Sequence, residues 1–213
     1  MEDKLKYMRL LSERYPTSRS LVREIINLSA ILNLPKGTEH FMSDIHGEYE
    51  AFCHILNNCS GVIREKVDLL YRGTLSHAQR KEICTLIYYP KEKLRLVRAE
   101  GADPEWYRAT VNRLIELARM MSSKYTRSRV RKAMPEDYAY ILDELMHIQK
   151  DEDDNQILYH QKILDTVIEL DADGFIIALA RLLKRLAVDR LHIVGDIFDR
   201  GEKADRVVDL LMR

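Results

Sequence analysis

The chain has 213 residues, of which 46% are hydrophobic and 32% are charged, enough for a sizeable core and unlike a disordered polymer. Lysine plus arginine equals aspartate plus glutamate at 34 each, so the basic excess typical of nucleic-acid-binding modules is missing. No stretch approaches the roughly 18 apolar residues of a membrane span, and three cysteines without a C-x-x-C pair favour reduced thiols, so we expect a cytoplasmic protein that binds neither nucleic acid nor membrane.

Two helices are predicted at the start of the chain. Apolar side chains recur at helical spacing on both sides of Pro16, and Pro35 ends the second stripe. Ser18 or Ser20 is available as the N-cap of the second helix. A short strand over residues 39–42 should follow, leading into a polar loop and then another helix.

The middle of the chain, residues 61–187, is predicted to be a succession of helices. Asp103 begins one of them, with a proline at the first helical position and an acidic first turn. The basic stretch Lys124–Lys132 is predicted to be a solvated connector, with a site for an anion or nucleic acid as the alternative. Asp171–Gly174 is predicted to be a helix-to-helix turn, because the other ligands of a calcium loop are missing. Residues 150–155 should form an acidic turn.

The pattern changes near residue 190. The short apolar run Leu191–Val194 is typical of a buried parallel strand, and residues 203–212 return to a helical pattern. We therefore predict an α/β, predominantly helical fold. Residues 1–60 and 188–213 would form two strand–loop–helix units of one layer, and residues 61–187 would be a large helical insertion between them.

Two short motifs follow the two predicted strands directly. They are Ser-Asp-Ile-His-Gly at Ser43–Gly47 and Gly-Asp-Ile-Phe-Asp-Arg-Gly at Gly195–Gly201. Ligands of open α/β sheets bind just outside the carboxyl ends of parallel strands, which is where both motifs should lie. We expect adjacent parallel strands to bring the two motifs side by side.

The residue types in these motifs suit a metal site that acts on phosphate. Asp44 and His46 can converge on one cation, and Asp196 is placed to bridge two. Mixed oxygen and nitrogen ligands suit Mn²⁺, Fe or Zn²⁺ better than Ca²⁺. Arg200 offers a phosphate two parallel hydrogen bonds and keeps its charge. The residues therefore predict a metal-assisted phosphoester hydrolase.

Both motifs resemble the first two signature blocks of the calcineurin-like metallophosphatases. The chain as a whole resembles the amino-terminal portion of the class 3 fructose-1,6-bisphosphatases of Firmicutes and Bacteroidetes. That likeness rests on three segments, Arg9–Pro16, Phe41–Phe52 and Leu191–Gly201. It also rests on the long helical stretch that precedes the third segment. The resemblance implies part of a calcineurin-like metallophosphatase sheet.

The resemblance also implies an activity, a metal and a set of site residues. The reaction would convert fructose 1,6-bisphosphate to fructose 6-phosphate and phosphate, a step of gluconeogenesis, with Mn²⁺ as the expected metal. Asp44 and His46 would bind the first metal and Asp196 would bridge both. Asp199 and Arg200 would be the catalytic residues, the first orienting a histidine acid from a later motif and the second contacting the substrate phosphate.

The G-N-H block and two later histidine blocks of that family are not among these residues. The first metal would keep three of its four protein ligands, and the second would keep only Asp196. We therefore expect at most one partial metal site here, and little or no activity from these residues alone.

Other interpretations of the same residues stay open. Asp44 and His46 could form a turn that caps the next helix, and Arg200 could pair with Asp199 or Asp205 at the surface. A calcineurin-like phosphatase of another substrate and a non-catalytic helical interaction module are the alternative functions. Exposed edges of so small a sheet also predict self-association into a homo-oligomer.

Overall fold

The computed structural model describes residues 2–148, 151 and 153–212. These residues form two short parallel strands and a large set of helices, so the predicted α/β, predominantly helical class is confirmed. The strands are β1 (Glu39–Ser43) and β2 (Arg190–Val194). The helices are α1 (Glu2–Arg14), α2 (Ser18–Ile31), α3 (Tyr49–Asn57), α4 (Val62–Tyr71), α5 (His77–Tyr88), α6 (Pro90–Ala99), α7 (Pro104–Ser122), α8 (Arg127–Ala133), α9 (Ala139–Met146), α10 (Asp154–Ala187) and α11 (Ala204–Leu211).

The two strands pair in parallel along their whole length. Their register runs from Glu39 opposite Arg190 to Ser43 opposite Val194, so both strands end at the same level. The prediction that β2 is a buried strand was wrong, because only one face of the described sheet is covered and no residue of β2 is buried. On the other face Phe41 is 65% exposed and stacks on His192, with ring centroids 4.5 Å apart.

A small apolar cluster packs on the covered face of the sheet, opposite to the face that carries Phe41. Ile45, in the loop after β1, packs with Phe52 of α3 and Val207 of α11, and each is at most 6% exposed. Burying three such side chains contributes several kcal/mol, about 1.5–3 each, to holding α3 and α11 against the strand ends. The cluster therefore lies directly beneath the two motif loops.

The main core lies in the helical segment between the strands. The most extensive helix–helix contact of this core is between α7 and α10. The side chains that are fully buried there include Leu114, Leu117, Phe175 and Leu179. As the sequence predicted, Asp103 caps α7 by accepting a hydrogen bond from the backbone N–H of Trp106 at 2.8 Å.

Helix α10 bends at the predicted turn between two helices. Asp171 has non-helical angles (φ −157°, ψ 60°) inside the continuous span. Its carboxylate accepts hydrogen bonds from the backbone N–H of Gly174 at 3.1 Å and from the hydroxyl of Tyr138. Asp171 thus caps the second half of α10, which agrees with the predicted turn.

Two local predictions were wrong. The N-cap of α2 is Thr17, whose side chain accepts a hydrogen bond from the backbone N–H of Ser20, while the Ser20 hydroxyl accepts one from the backbone N–H of Thr17 in a capping box. The basic stretch forms helix α8, capped by Thr126, where a connector was predicted. The predicted acidic turn at residues 150–155 lies partly outside the described residues.

Helices α1 and α2 contribute to neither apolar cluster of the described structure. Most of their large apolar side chains, and that of Leu32 just after α2, are exposed by 40% or more, namely Leu5, Tyr7, Met8, Leu10, Leu21, Val22, Ile25, Ile26, Leu28, Ile31 and Leu32. The three cysteines, Cys53, Cys59 and Cys84, carry free thiols. Among the described residues, no helix has both the length and the apolar character that crossing a bilayer requires.

Asp189 joins the helical segment to the sheet. It stands one residue before β2, and its side chain is only 7% exposed. The carboxylate accepts hydrogen bonds from the backbone N–H of Thr38 at 2.6 Å and from the hydroxyl of Tyr125 at 2.8 Å, and it pairs with Arg129. Because Thr38 immediately precedes β1, one carboxylate fixes the starts of both strands against α8.

Candidate metal centre

The two motif loops continue the pairing of the strands beyond the sheet. The backbone N–H groups of Asp44, His46 and Gly47 donate in turn to the carbonyls of Val194, Asp196 and Ile197, at 3.2, 3.1 and 2.8 Å. The N–H of Gly201 returns a hydrogen bond to the carbonyl of His46 at 2.6 Å. Backbone geometry alone therefore holds the two motifs together.

Glycine is required where the two loops approach most closely. Gly195 has φ +78°, and a Cβ built there would lie 2.5 Å from Oδ1 of Asp44. A Cβ on Gly201 would lie 2.2 Å from the carbonyl oxygen of His46. A left-handed backbone and a contact this short both exclude larger residues.

Three side chains converge at this junction. One ligand atom from each of His46, Asp196 and Asp199 lies within 4.8 Å of the others. Two ligands of one cation at about 2.0–2.2 Å lie up to about 4.4 Å apart, so small side-chain rotations would suffice for shared coordination. Imidazole with carboxylates suits Mn²⁺, Fe or Zn²⁺. The donor set and its spacing thus fit a divalent transition metal.

Asp199 contacts His46 directly. Nδ1 of His46 lies 2.6 Å from Oδ1 of Asp199, and the ring nitrogen donates, because an ionised carboxylate can only accept. This hydrogen bond holds the pKa of the Asp199 carboxyl below its ordinary value. Holding the proton on Nδ1 leaves Nε2 as the ring nitrogen with a free lone pair.

Asp44 lies beside this trio. Its Oδ1 accepts a hydrogen bond from the backbone N–H of Asp196 at 3.3 Å, and its carboxylate is exposed. The alternative in which Asp44 caps the following helix does not match the structure, since Glu48 occupies the N-cap position of α3. Asp44 therefore links the two motif loops.

Arg200 stands at the open side of the junction. Its side chain is 77% exposed, and Nε lies 3.4 Å from Oδ2 of Asp199. The surface pairing with Asp199 considered from the sequence is thus present. An exposed pair of this kind contributes about 0–1 kcal/mol and leaves most guanidinium donors available to an anion.

The sequence did not reveal the direct contact between His46 and Asp199. Their roles were assigned from separate motifs, and only the pairing of the strands brings them within hydrogen-bonding distance. The signal that could have revealed this contact is the prediction that two parallel strands end at the same edge of the sheet. The other histidines, at positions 40, 54, 77, 147, 160 and 192, join no such cluster of the described residues.

Comparisons with known proteins add an independent finding. No solved structure matches this chain. A fructose-1,6-bisphosphatase class 3 of Clostridium acetobutylicum is 53% identical over 213 residues, covering 99% of this chain and 32% of the relative. Another of that name, from Clostridium botulinum strain Alaska E43, is 53% identical over 211 residues, with 98% and 32% covered. The chain thus spans about a third of the length of these relatives.

The sequence model of one protein family covers almost the whole chain. It is described as Firmicute fructose-1,6-bisphosphatase, and it matches residues 6–213, a range that includes both motif loops. This match and the 53% sequence identity to the two class 3 relatives establish the family. The chain belongs to the Firmicute fructose-1,6-bisphosphatase family.

Proposed function

We propose that this chain carries one part of a metal-dependent phosphomonoesterase site that converts fructose 1,6-bisphosphate to fructose 6-phosphate and phosphate. The observation that carries the proposal is the junction of the two motif loops, where His46, Asp196 and Asp199 converge. The names of the relatives supply the substrate, because no contact that would recognise a sugar ring is present among the residues that the structure describes. The reaction would belong to cytoplasmic gluconeogenesis.

In this proposal Asp44, His46 and Asp196 bind one divalent cation, with Mn²⁺ as the expected ion. His46 would use Nε2, because its Nδ1 is engaged by Asp199. Such a cation supplies Lewis-acid stabilisation of charge on phosphoryl oxygens. The calcineurin-like character of the sheet is part of the same proposal.

Asp199 and Arg200 have different tasks. Asp199 belongs to the converging trio, but in this proposal it is a positioning residue rather than a metal ligand, because its 2.6 Å contact fixes the ring of His46. Arg200 is exposed at the mouth of the junction and would bind the phosphate that is transferred. Its left-handed backbone (φ +75°) turns the chain sharply at this point.

The second cation of the proposed two-metal site would have only Asp196 among the residues of this chain. Charge stabilisation is usually the largest single contribution to such reactions, so an incomplete second site should be costly. We therefore expect these 213 residues alone to release phosphate from fructose 1,6-bisphosphate with Mn²⁺ at a very low rate or not at all.

Self-association is a further part of the proposal. Apolar side chains are exposed on α1 and α2, and Phe41 is exposed on the uncovered face of the sheet. Contact of these apolar surfaces with water is unfavourable. Within the described residues each strand pairs along one edge only, and the outer edges of β1 and β2 add to this tendency. A homo-oligomer would cover them.

A chimeric enzyme tests the proposed activity without depending on the activity of this chain alone. The matching portion of the Clostridium acetobutylicum relative would be replaced by this chain. We expect the chimera to hydrolyse fructose 1,6-bisphosphate with Mn²⁺, and we expect Asp196→Asn in the chimera to lower kcat/KM at least 100-fold. Asp209→Asn, on the exposed surface of α11, is the matched control. An active chimera that tolerates Asp196→Asn would refute the proposal.

A further inference from the structure

A cleft of about 460 Å³ lies between α4, α5 and the end of α3. Its size is within the range of about 300–1,000 Å³ typical of small-molecule sites. None of Asp44, His46, Asp196, Asp199 or Arg200 lines it, so it is separate from the candidate metal centre.

One face of α5 forms a wall of the cleft. His77, Lys81, Cys84 and Tyr88 follow one another at intervals of three or four residues, which places them in a single row along the helix. Helix α4 faces this row with Arg64. The cleft is thus built on regular helices with fixed spacing.

The charges around the cleft are predominantly positive. Arg64, Arg80 and Lys81 line it together with one carboxylate, Asp68. That carboxylate is already paired, because Nε of Arg80 donates a hydrogen bond to its Oδ1 at 2.6 Å. Arg64 lies 4.0 Å from Asp68 with its side chain 67% exposed, so most of its donors face water.

Lys81 carries the second positive charge that an anion in the cleft can reach. It is exposed, and within the described part of the chain it forms no ion pair with a carboxylate. Two cations that share one cleft repel each other unless an anion lies between them. The cleft therefore offers an anion two charged donors, and its one carboxylate, Asp68, is already paired with Arg80.

The floor of the cleft is apolar and partly aromatic. Cys84 is 5% exposed, and burial raises the pKa of its thiol and of the half-buried Tyr88 hydroxyl, so both stay neutral. Beside them the rings of His54 and Tyr89 stack with centroids 6.0 Å apart and planes at 12°. A neutral floor beneath a cationic rim suits a ligand with one anionic end.

We propose that this cleft is a binding site for a small organic phosphate, separate from the metal centre. The phosphate lies between Arg64 and Lys81, where a guanidinium and an ammonium donate charge-assisted hydrogen bonds. A planar or apolar group of the ligand rests on Tyr88 and Cys84. The site does not depend on the proposed phosphatase activity, because it shares no residue with the metal centre.

Phenylphosphonate is a suitable probe, because its carbon–phosphorus bond resists hydrolysis and its ring tests the apolar floor. The full 213-residue protein would be titrated in a buffer with EDTA, so that no cation can recruit the probe to the metal centre. Two-dimensional amide NMR should show saturable shifts concentrated in residues 61–68 and 77–89. Methylphosphonate, which lacks the ring, should bind several-fold more weakly.

The double variant Arg64→Gln/Lys81→Gln should bind phenylphosphonate about 100-fold more weakly, about tenfold for each lost charge-assisted contact. Both side chains are exposed, so an unchanged midpoint of thermal unfolding is expected and shows that the fold is intact. Lys162→Gln on α10 removes an equally exposed charge away from the cleft and should leave binding unchanged. Asp196→Asn should also have no effect.

Three outcomes would overturn the proposal. The first is a wild-type protein that shows no saturable shifts with phenylphosphonate. The second is a double variant that binds as tightly as the wild type. The third is binding that Asp196→Asn abolishes, since it would assign the probe to the metal centre.

Discussion

The carboxylate of Asp44 accepts a hydrogen bond from the backbone N–H of Asp196, at 3.3 Å and across 152 positions of sequence. Together with the four backbone hydrogen bonds that join the loops, this contact holds both motifs in place without a bound ion. A preformed cluster of negative groups would bind a cation with less reorganisation than separate loops would.

Gly195→Ala should disrupt the contact between Asp44 and Asp196. The new Cβ would lie 2.5 Å from Oδ1 of Asp44, on a backbone that already has φ +78°. We expect the free energy of unfolding to fall by about 1–3 kcal/mol and Mn²⁺ affinity to fall with it. Urea denaturation measures the first quantity and calorimetric titration the second.

Gly73→Ala is the matched control for that substitution. A Cβ at Gly73 meets nothing within 4 Å, and its backbone is not left-handed. Its effect on stability should stay within about 0.5 kcal/mol. Equal effects of the two substitutions would contradict the close approach described here.

Asp189→Asn should destabilise the junction between the helical segment and the sheet. It removes the charge that pairs with Arg129 while leaving the shape of a side chain that is 7% exposed. We expect a loss of about 1.5–3 kcal/mol in urea denaturation, the usual contribution of hydrogen bonds to a charged group, since Arg129 itself is 56% exposed. Glu65→Gln, which removes an exposed pair with Lys66, should cost at most about 1 kcal/mol, and a similar loss at both sites would count against the role of Asp189.

Asp68 should titrate below the ordinary aspartate value of about 3.9. The hydrogen bond from Arg80 is the main reason that its pKa is lowered in the folded protein. A lowered folded-state pKa means that the unfolded chain takes up the proton first as the pH falls. The stabilisation is therefore complete above about pH 3.9 and is lost as the pH falls through the lower folded-state value.

Carboxyl NMR of the wild type and of Arg80→Met measures this effect. The Asp68 midpoint should rise in the variant, because its main hydrogen-bond donor is gone. Arg72→Met removes the weakest of the neighbouring charges that act on Asp68 and should change the midpoint less. An Asp68 midpoint that Arg80→Met leaves in place would refute the assignment.

The apolar surface of α1 and α2 should drive self-association. Ile26 is 65% exposed and Leu10 is 64% exposed, so Leu10→Glu/Ile26→Glu should shift sedimentation equilibrium towards the monomer. Leu69→Glu is the control, since Leu69 is 69% exposed on α4. A wild-type protein that sediments as a monomer at high concentration would contradict the prediction.

Periodicity and motif spacing were enough to predict the parts of the structure that depend on local sequence. Both strands, the motif loops at their ends and the turn at Asp171 follow from patterns within a few residues. Helix α8 was missed because its seven residues present a single buried side chain, Val130, and therefore no apolar stripe. The contacts of Asp189 with Arg129 and of Asp199 with His46 join residues 60 or more positions apart, which no local pattern reports.

Mn²⁺ binding followed by electron paramagnetic resonance tests most directly whether the two motif loops share one cation site. The wild-type chain should bind about one Mn²⁺ with an affinity at least about tenfold higher than Asp196→Asn or His46→Asn, while Asp209→Asn should match the wild type. Equal binding by the wild type and both site variants, or no binding by the wild type, would contradict a shared site.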